Sequence, residues 1–175
     1  MADSNDKTYK QLDALPVHPA PDIDPDGHLL RVSGAVQSPA AYSAADLLEC
    51  PRAEVADDFE CEEGWEVPKQ RWAGVRLDSL LDRSHPGPDV AWVTLGAGDF
   101  SIALPVDEAR EAIVALSLNG EALPVVHGGP MRLIVPGDRC YTSIKWLDRI
   151  ELTAEAASTT AQTIALRRIG RDSDE

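Results

Sequence analysis

The chain has 175 residues, of which 43% are hydrophobic, enough for one domain with a packed core of ordinary size. Its net charge is −14 and it holds only four lysines, Lys7, Lys10, Lys69 and Lys145. That balance sets aside nucleic acid and anionic membranes as partners, since both need clustered lysine and arginine. Three cysteines, Cys50, Cys61 and Cys140, form no C-x-x-C pair, which argues against a disulfide framework or a zinc knuckle.

No apolar run nears the ~18 residues of a membrane span. The start, Met-Ala-Asp-Ser-Asn-Asp-Lys, shows neither an apolar signal core nor twin arginines. A soluble, cytoplasmic protein is expected. The acidic, lysine-poor surface suits a halophilic, high-salt cytoplasm, where salt screens self-repulsion.

Residues 1–27 are polar and dotted with Pro16, Pro19, Pro21 and Pro25, and read as an extended N-terminal arm. A domain over 28–153 follows, then a tail over 154–175. His28 to Val36 alternates as a strand. Ser43 caps a short helix through Leu48, stopped before Pro51. Ala53 to Cys61 alternates at period two, with Val55, Phe59 and Cys61 on one face and position 57 as the break. Gly64 to Arg71 reads as a loop because of Pro68. Leu77 to Leu81 is a short helix ended by Ser84-His85-Pro86-Gly87-Pro88.

Val90 to Leu95 and Phe100 to Leu104 form a hairpin about Gly96-Ala97-Gly98-Asp99. Val106 to Leu116 reads as the best helix, with Asp107, Glu108 and Glu111 toward its start and a stripe of Ala109, Ile113 and Leu116. Asn119-Gly120 is a strong turn signal. Met131 to Val135 is a strand, Thr142 to Leu152 a long last strand, and Thr160 to Ile169 a tail helix. Short strands, hairpins and intervening helices without regular βαβ alternation give an α+β, mixed-sheet class.

Cys61 has two readings, a small buried hydrophobe or a thiolate ligand or nucleophile. Its neighbours Glu60, Glu62 and Glu63 raise the cost of a bare thiolate, whereas a soft metal removes it by coordination. One cysteine and four scattered histidines build no tetrahedral zinc site, so a metal would take most of its ligands from a bound cofactor. The second segment is His127-Gly128-Gly129-Pro130-Met131-Arg132, running on to Ser143-Ile144-Lys145-Trp146. Its basic groups, with Arg139, are an anomaly in so acidic a chain and suit a dianion such as phosphate. Read singly, they are a turn histidine and surface arginines. Trp65, Trp72, Trp92 and Trp146 read as core, as do Cys50 and Cys140. Asp99, Asp138 and Glu63 carry no spacing that marks a site.

Together these stretches resemble the sulfite-oxidase-type molybdopterin-binding oxidoreductase domain in a short form, over roughly 28–152. The landmarks are Leu30 to Val36, Asp58-Phe59-Glu60-Cys61-Glu62-Glu63-Gly64-Trp65, Arg71-Trp72-Ala73-Gly74-Val75, Asn119 to Pro124, His127 to Gly137 and Lys145 to Ile150, in that order. The resemblance implies a molybdenum–molybdopterin cofactor in its mononucleotide-free form, with Cys61 as the protein's metal ligand and catalytic thiolate. It places His127 and Arg132 on the pterin and its phosphate, with Ser143 and Lys145 closing over the same cofactor. It implies oxygen-atom transfer to or from a small-molecule substrate, with electrons exchanged through a separate protein, since no C-x-x-C-H haem motif is present.

Two departures bear on substrate. Acids stand after the cysteine where sulfite oxidases place arginines, so a sulfoxide, an N-oxide or a cation fits better than sulfite, unless Arg71 or Arg76 folds back. Cys140 and Tyr141 replace small residues near the cofactor loop. Two other readings share these residues: a binding or assembly module with a weak or lost cofactor site, and a thiol enzyme using Cys61 and His127.

Overall fold

The computed structural model describes residues 10–17, 19–61, 63–137 and 142–160. Its strands in chain order are β1 (Lys10–Gln11), β2 (Leu30–Gly34), β3 (Ala40–Tyr42), β4 (Arg52–Cys61), β5 (Trp65–Arg76), β6 (Trp92–Ala97), β7 (Phe100–Pro105), β8 (Ile113–Leu118), β9 (Glu121–Ala122), β10 (Arg132–Ile134) and β11 (Arg149–Thr153). The helices are α1 (Ala44–Leu48), α2 (Leu77–Ser84) and α3 (Val106–Glu111), with a 3₁₀ turn at Val125–His127. Among the described residues, no helix is long and apolar enough to cross a membrane.

Two sheets result. One runs β1-β5-β8-β10, with β4 along β5 and β9 along β8; the other runs β3-β2-β11-β6-β7. The main core lies between them and gathers Leu30, Leu47, Leu80, Leu95, Val114, Met131, Leu133, Leu147 and Ile150. A second core covers the outer face of the first sheet, with Leu15, Val67, Trp72, Ile113, Ala115, Leu123 and Ile134. Successive residues of β8 therefore enter different cores.

That double burial explains the main departure from the sequence reading. The expected helix over Val106 to Leu116 ends at Glu111; Ala112 turns extended, at φ −71° and ψ 160°. The Ile113-Val114-Ala115-Leu116 run is apolar on both faces, as a central strand requires, and it pairs with β5 and β10.

The expected loop from Gly64 to Arg71 belongs to β5. Pro68 is tolerated there because the β4–β5 ladder shifts register between Asp57 and Phe59. Next to it Lys69 takes φ +57°, and its amide donates to Asp58 Oδ1 at 2.8 Å. The bulge falls at the break in the 53–61 alternation.

The expected long strand from Thr142 shortens to Arg149–Thr153. Ahead of it Ile144 and Leu147 are buried around Trp146, whose φ is +55°. This stretch docks by scattered bonds, the Leu133 amide of β10 donating to the Ile144 carbonyl and the Trp146 amide to the Gly128 carbonyl, rather than by a strand ladder. In the first hairpin β6 extends to Ala97, leaving Gly98-Asp99 as the turn. The expected tail helix lies outside the described residues, except that Thr160 is seen and bonds the Ser101 backbone.

Local signals that need no tertiary support survive. Ser43 and Asp46 form a complete capping box on α1. Asn119 and Gly120, at φ +53° and +89°, turn β8 into β9. Part of the arm joins the sheet: β1 runs parallel to the start of β5, pairing Lys10 with Trp65, and Leu15 is buried.

β5 and β8 approach closely at Gly74, where a Cβ would overlap the Val114 carbonyl. Gly74→Ala is expected to cost roughly 3 kcal/mol by forcing the two strands apart. Urea unfolding checks this; a loss under ~1 kcal/mol would show that the pair relaxes freely.

Candidate active site

Cys61 ends β4, opposite Trp65 across a tight turn. Gly64 makes that turn at φ +90°, and its amide donates to the Cys61 carbonyl at 2.9 Å. Lys10 N–H of the arm donates to the Gly64 carbonyl at 2.8 Å, and Leu12 N–H to the Glu66 carbonyl at 2.8 Å. Trp65 Nε1 donates to Glu63 Oε2 at 2.9 Å. The cysteine is thus buried on a turn tied down from two sides.

Phe59 lies two residues earlier and points to the same face of β4. Its ring stacks on Trp65, with centroids 6.1 Å apart, and tilts against Trp72 at 5.8 Å. Over these rings lies Arg132, only 4% exposed. Its guanidinium carbon is 5.0 Å from the Phe59 centroid and 4.9 Å from that of Trp72. Each such contact is worth ~0.5–2 kcal/mol, the upper end where the cation is desolvated.

Arg132 Nη1 donates to the His127 carbonyl at 2.9 Å. His127 closes the 3₁₀ turn before Gly128, which sits at φ +100°. A Cβ at Gly128 would lie 2.7 Å from Lys145 Cγ, so glycine lets the lysine stem lie flat on the turn. Trp146 fastens the two loops, its backbone N–H donating to the Gly128 carbonyl at 2.9 Å and its Nε1 to the Val125 carbonyl at 2.8 Å.

The fold therefore brings His127, Arg132 and Lys145 together. The His127 pKa is pushed below its usual 6.5, first by burial, then by the Lys145 and Arg132 charges. Ser143, also buried, lines a cleft of ≈ 190 Å³ with Phe59, Trp72, Ile134, Pro136 and Gly137. Asp57, Asp58 and Glu60 form the acidic side of that cleft. Cys61 joins the group through Phe59 on the same strand face.

Other candidates fall elsewhere. Arg71 pairs with Glu54 at 3.1 Å, and Arg76 with Asp78 at 3.2 Å and Glu111 at 3.4 Å. Both pair with acids of β4, α2 and α3 rather than folding back toward the cysteine. Asp99 lies in the β6–β7 turn, in the other sheet. Arg139, Asp138, Cys140, Tyr141 and Glu62 lie outside the described residues. Sequence reasoning missed Phe59 and Trp72 as the partners of Arg132; the one available signal was Phe59 sharing a face with Cys61.

These features define a mixed α+β domain in which the cysteine strand walls a cleft lined by Phe59 and Trp72, and the basic groups gather around Arg132 against those rings. The fold matches a solved structure of the sulfane dehydrogenase SoxCD from Paracoccus pantotrophus, with TM-score 0.73 and 24% identity over 79% of this chain and 41% of that one. The chain belongs to the oxidoreductase molybdopterin binding domain family, whose model matches residues 17–161. The sulfite-oxidase-type assignment and fold class expected from the sequence both hold.

Among its relatives, the uncharacterized oxidoreductase YuiH of Bacillus subtilis is 33% identical over 72% of this chain and 65% of its own length. Human mitochondrial sulfite oxidase is 29% identical over 78% of this chain and 31% of its own. The protein-methionine-sulfoxide reductase catalytic subunit MsrP of Campylobacter jejuni is 28% identical over 81% and 54%. The chain thus spans between 31% and 65% of the length of these relatives.

The depressed His127 pKa has a checkable sign. As pH falls below 6.5, the unfolded chain binds a proton that the folded one still refuses. Stability is therefore greatest above that value and declines as pH drops toward the folded pKa. NMR titration of the His127 ring in metal-free protein is expected to give a midpoint below 6.5, moving up in Lys145→Gln and on adding phosphate. A midpoint indifferent to Lys145→Gln would show that the two groups do not interact.

Proposed function

We propose that the protein is a molybdenum-cofactor oxidoreductase that moves an oxygen atom at a centre ligated by Cys61, on a neutral or cationic small molecule such as a sulfoxide or N-oxide. The observation that carries this reading is the convergence of His127, Arg132 and Lys145 beside a cleft walled by the Cys61 strand, in a chain of net charge −14.

The donor set fits the cofactor. Among the described residues no group of three or more His, Cys, Asp or Glu is placed to hold a metal ion, so a metal here takes most of its ligands from an organic partner. A pyranopterin supplies two sulfurs and carries a phosphate; when bound, it would provide the two-electron oxo chemistry. One thiolate from Cys61 completes such a set.

This chain's residues do the rest. Arg132 and Lys145 meet the phosphate dianion, and Ser143 Oγ offers a hydrogen bond from the cleft wall. His127, held neutral by its neighbours, has a ring N–H to donate; a bound anion would offset the nearby positive charge and raise its pKa. Cys61 gives up its proton on ligation, which removes the penalty of a thiolate among acids. Asp57, Asp58 and Glu60 raise the cost of bringing in an oxyanion, and the arginines that might have offset them are engaged elsewhere. The sulfoxide reading is also in keeping with the name of the Campylobacter relative. Electrons would be exchanged with a separate redox protein, and the cofactor would be the mononucleotide-free form.

Protein purified from a host that makes the cofactor is expected to hold one molybdenum and one pterin per chain. Cys61→Ser is expected to lose the metal and keep the fold. The wild type should reduce a sulfoxide or N-oxide with reduced dye as electron donor faster than it oxidises sulfite with an oxidised dye as acceptor. Metal-free wild type from such a host would sink the proposal, and faster sulfite oxidation would sink the substrate assignment. A metal-loaded protein inert toward both classes would instead be a cofactor-handling module.

A further inference from the structure

Arg132 is a cation in a nearly dry place, and the chain has invested two aromatic rings in holding it. Phe59 and Trp72 bring the guanidinium carbon to 5.0 and 4.9 Å from their ring centroids. Aliphatic side chains of similar size would bury the group without attracting it, which is costly for a charge. Stacked rings supply attraction through their faces and leave the planar donors to act through the edge of the guanidinium. One edge nitrogen is fixed on the His127 carbonyl at 2.9 Å. The rings come from different strands: Phe59 from β4, two residues before Cys61, and Trp72 from β5, which pairs with both β4 and β8. Phe59 is in turn braced by Trp65, the cross-strand partner of Cys61.

This cluster, two rings 5.8 Å apart with the guanidinium against both, therefore forms a continuous physical link between the cysteine strand and the basic loops. We propose that Phe59 and Trp72 are positioning residues for the cofactor: by stacking on Arg132 they set the spacing between the Cys61 thiol and the His127 turn before the cofactor arrives. This rests on the molybdenum-cofactor reading above and adds two residues that touch neither metal nor substrate chemistry. It is preorganisation, in which the site is built to the ligand's dimensions in advance. Simple core packing is the competing account of the same rings, and it makes no distinction between an aromatic and an aliphatic side chain of equal volume.

The test uses the whole chain from a cofactor-making host, as wild type and as Phe59→Leu, Phe59→Met, Phe59→Tyr and Trp72→Phe. Phe59 is only part-buried, so the Leu and Met variants keep apolar volume at a tolerant position. Two quantities are read: molybdenum retained per folded chain after dialysis, and the Arg132 Nε–Hε NMR signal of metal-free protein, which stacked rings shift. Phe59→Leu and Phe59→Met are expected to retain about tenfold less molybdenum and to lose the ring shift, while Phe59→Tyr and Trp72→Phe stay within about twofold of wild type. Wild-type retention in Leu or Met variants whose Arg132 signal has moved would overturn the positioning role. So would a Tyr variant as impaired as the Leu variant, which marks packing alone. Wild type without molybdenum sinks the functional reading and this proposal with it, an outcome distinct from normal loading that the ring leaves unchanged.

Discussion

The buried guanidinium of Arg132, stacked against Phe59 and Trp72, is the contact on which the site's geometry depends. A cation that is 4% exposed must be compensated from several directions, and here the compensation comes from three parts of the chain. β4 and β5 each give a ring, and the turn ending at His127 gives a carbonyl. Satisfying this one charge brings those three segments into register. Trp72 belongs to the second hydrophobic core, with Val67, Ile113, Ala115 and Ile134, and Leu12, Val55, Phe59 and Trp65 pack against that core.

Electrostatics sorts the remaining surface. The positive groups of the site gather on the two loops around Gly128 and Lys145, and the acids of the cleft stand on β4. On the proposed reading, the cofactor's anion and its metal would be met by different segments, whose local charge has opposite sign. The first arginines after the cysteine, Arg71 and Arg76, are spent on Glu54, Asp78 and Glu111. On the proposed reading, this division would let an acidic chain hold a dianionic group on its basic side while the acids of the cleft disfavour small oxyanions.

What could be read from the sequence follows the range of the interactions involved. The Ser43 cap, the Asn119-Gly120 turn and the 53–61 alternation with its break at 57 are set by neighbours within a few residues, and all appear in the structure. The 113–118 run was misread because its burial on both faces depends on two sheet partners far away in sequence. Pro68 masked a strand because the bulge that accommodates it, Pro68 and Lys69 against the single Asp58, exists only once β5 is paired with β4. Lys145 was placed in a strand, whereas its segment is shaped by the Trp146 bonds to Gly128 and Val125. Cys61, His127, Arg132, Ser143 and Lys145 were visible as candidates through ordered landmarks. That two rings clasp the arginine was not, because no local pattern tells a tryptophan holding a cation from one filling a core.

The backbone bonds from Lys10 and Leu12 to Gly64 and Glu66 carry a consequence for how this molecule breathes. Chain ends usually fray at almost no free-energy cost. Here Lys10 and Leu12 are bonded to Gly64 and Glu66 at the Cys61 turn, so releasing that stretch costs two backbone bonds to the turn. By linkage, anything that binds that turn only in its closed form quiets the arm by the same free energy with which the docked arm strengthens binding. Amide exchange at Lys10 and Leu12 would then report, from the far end of a polar arm, whether the cysteine turn is occupied.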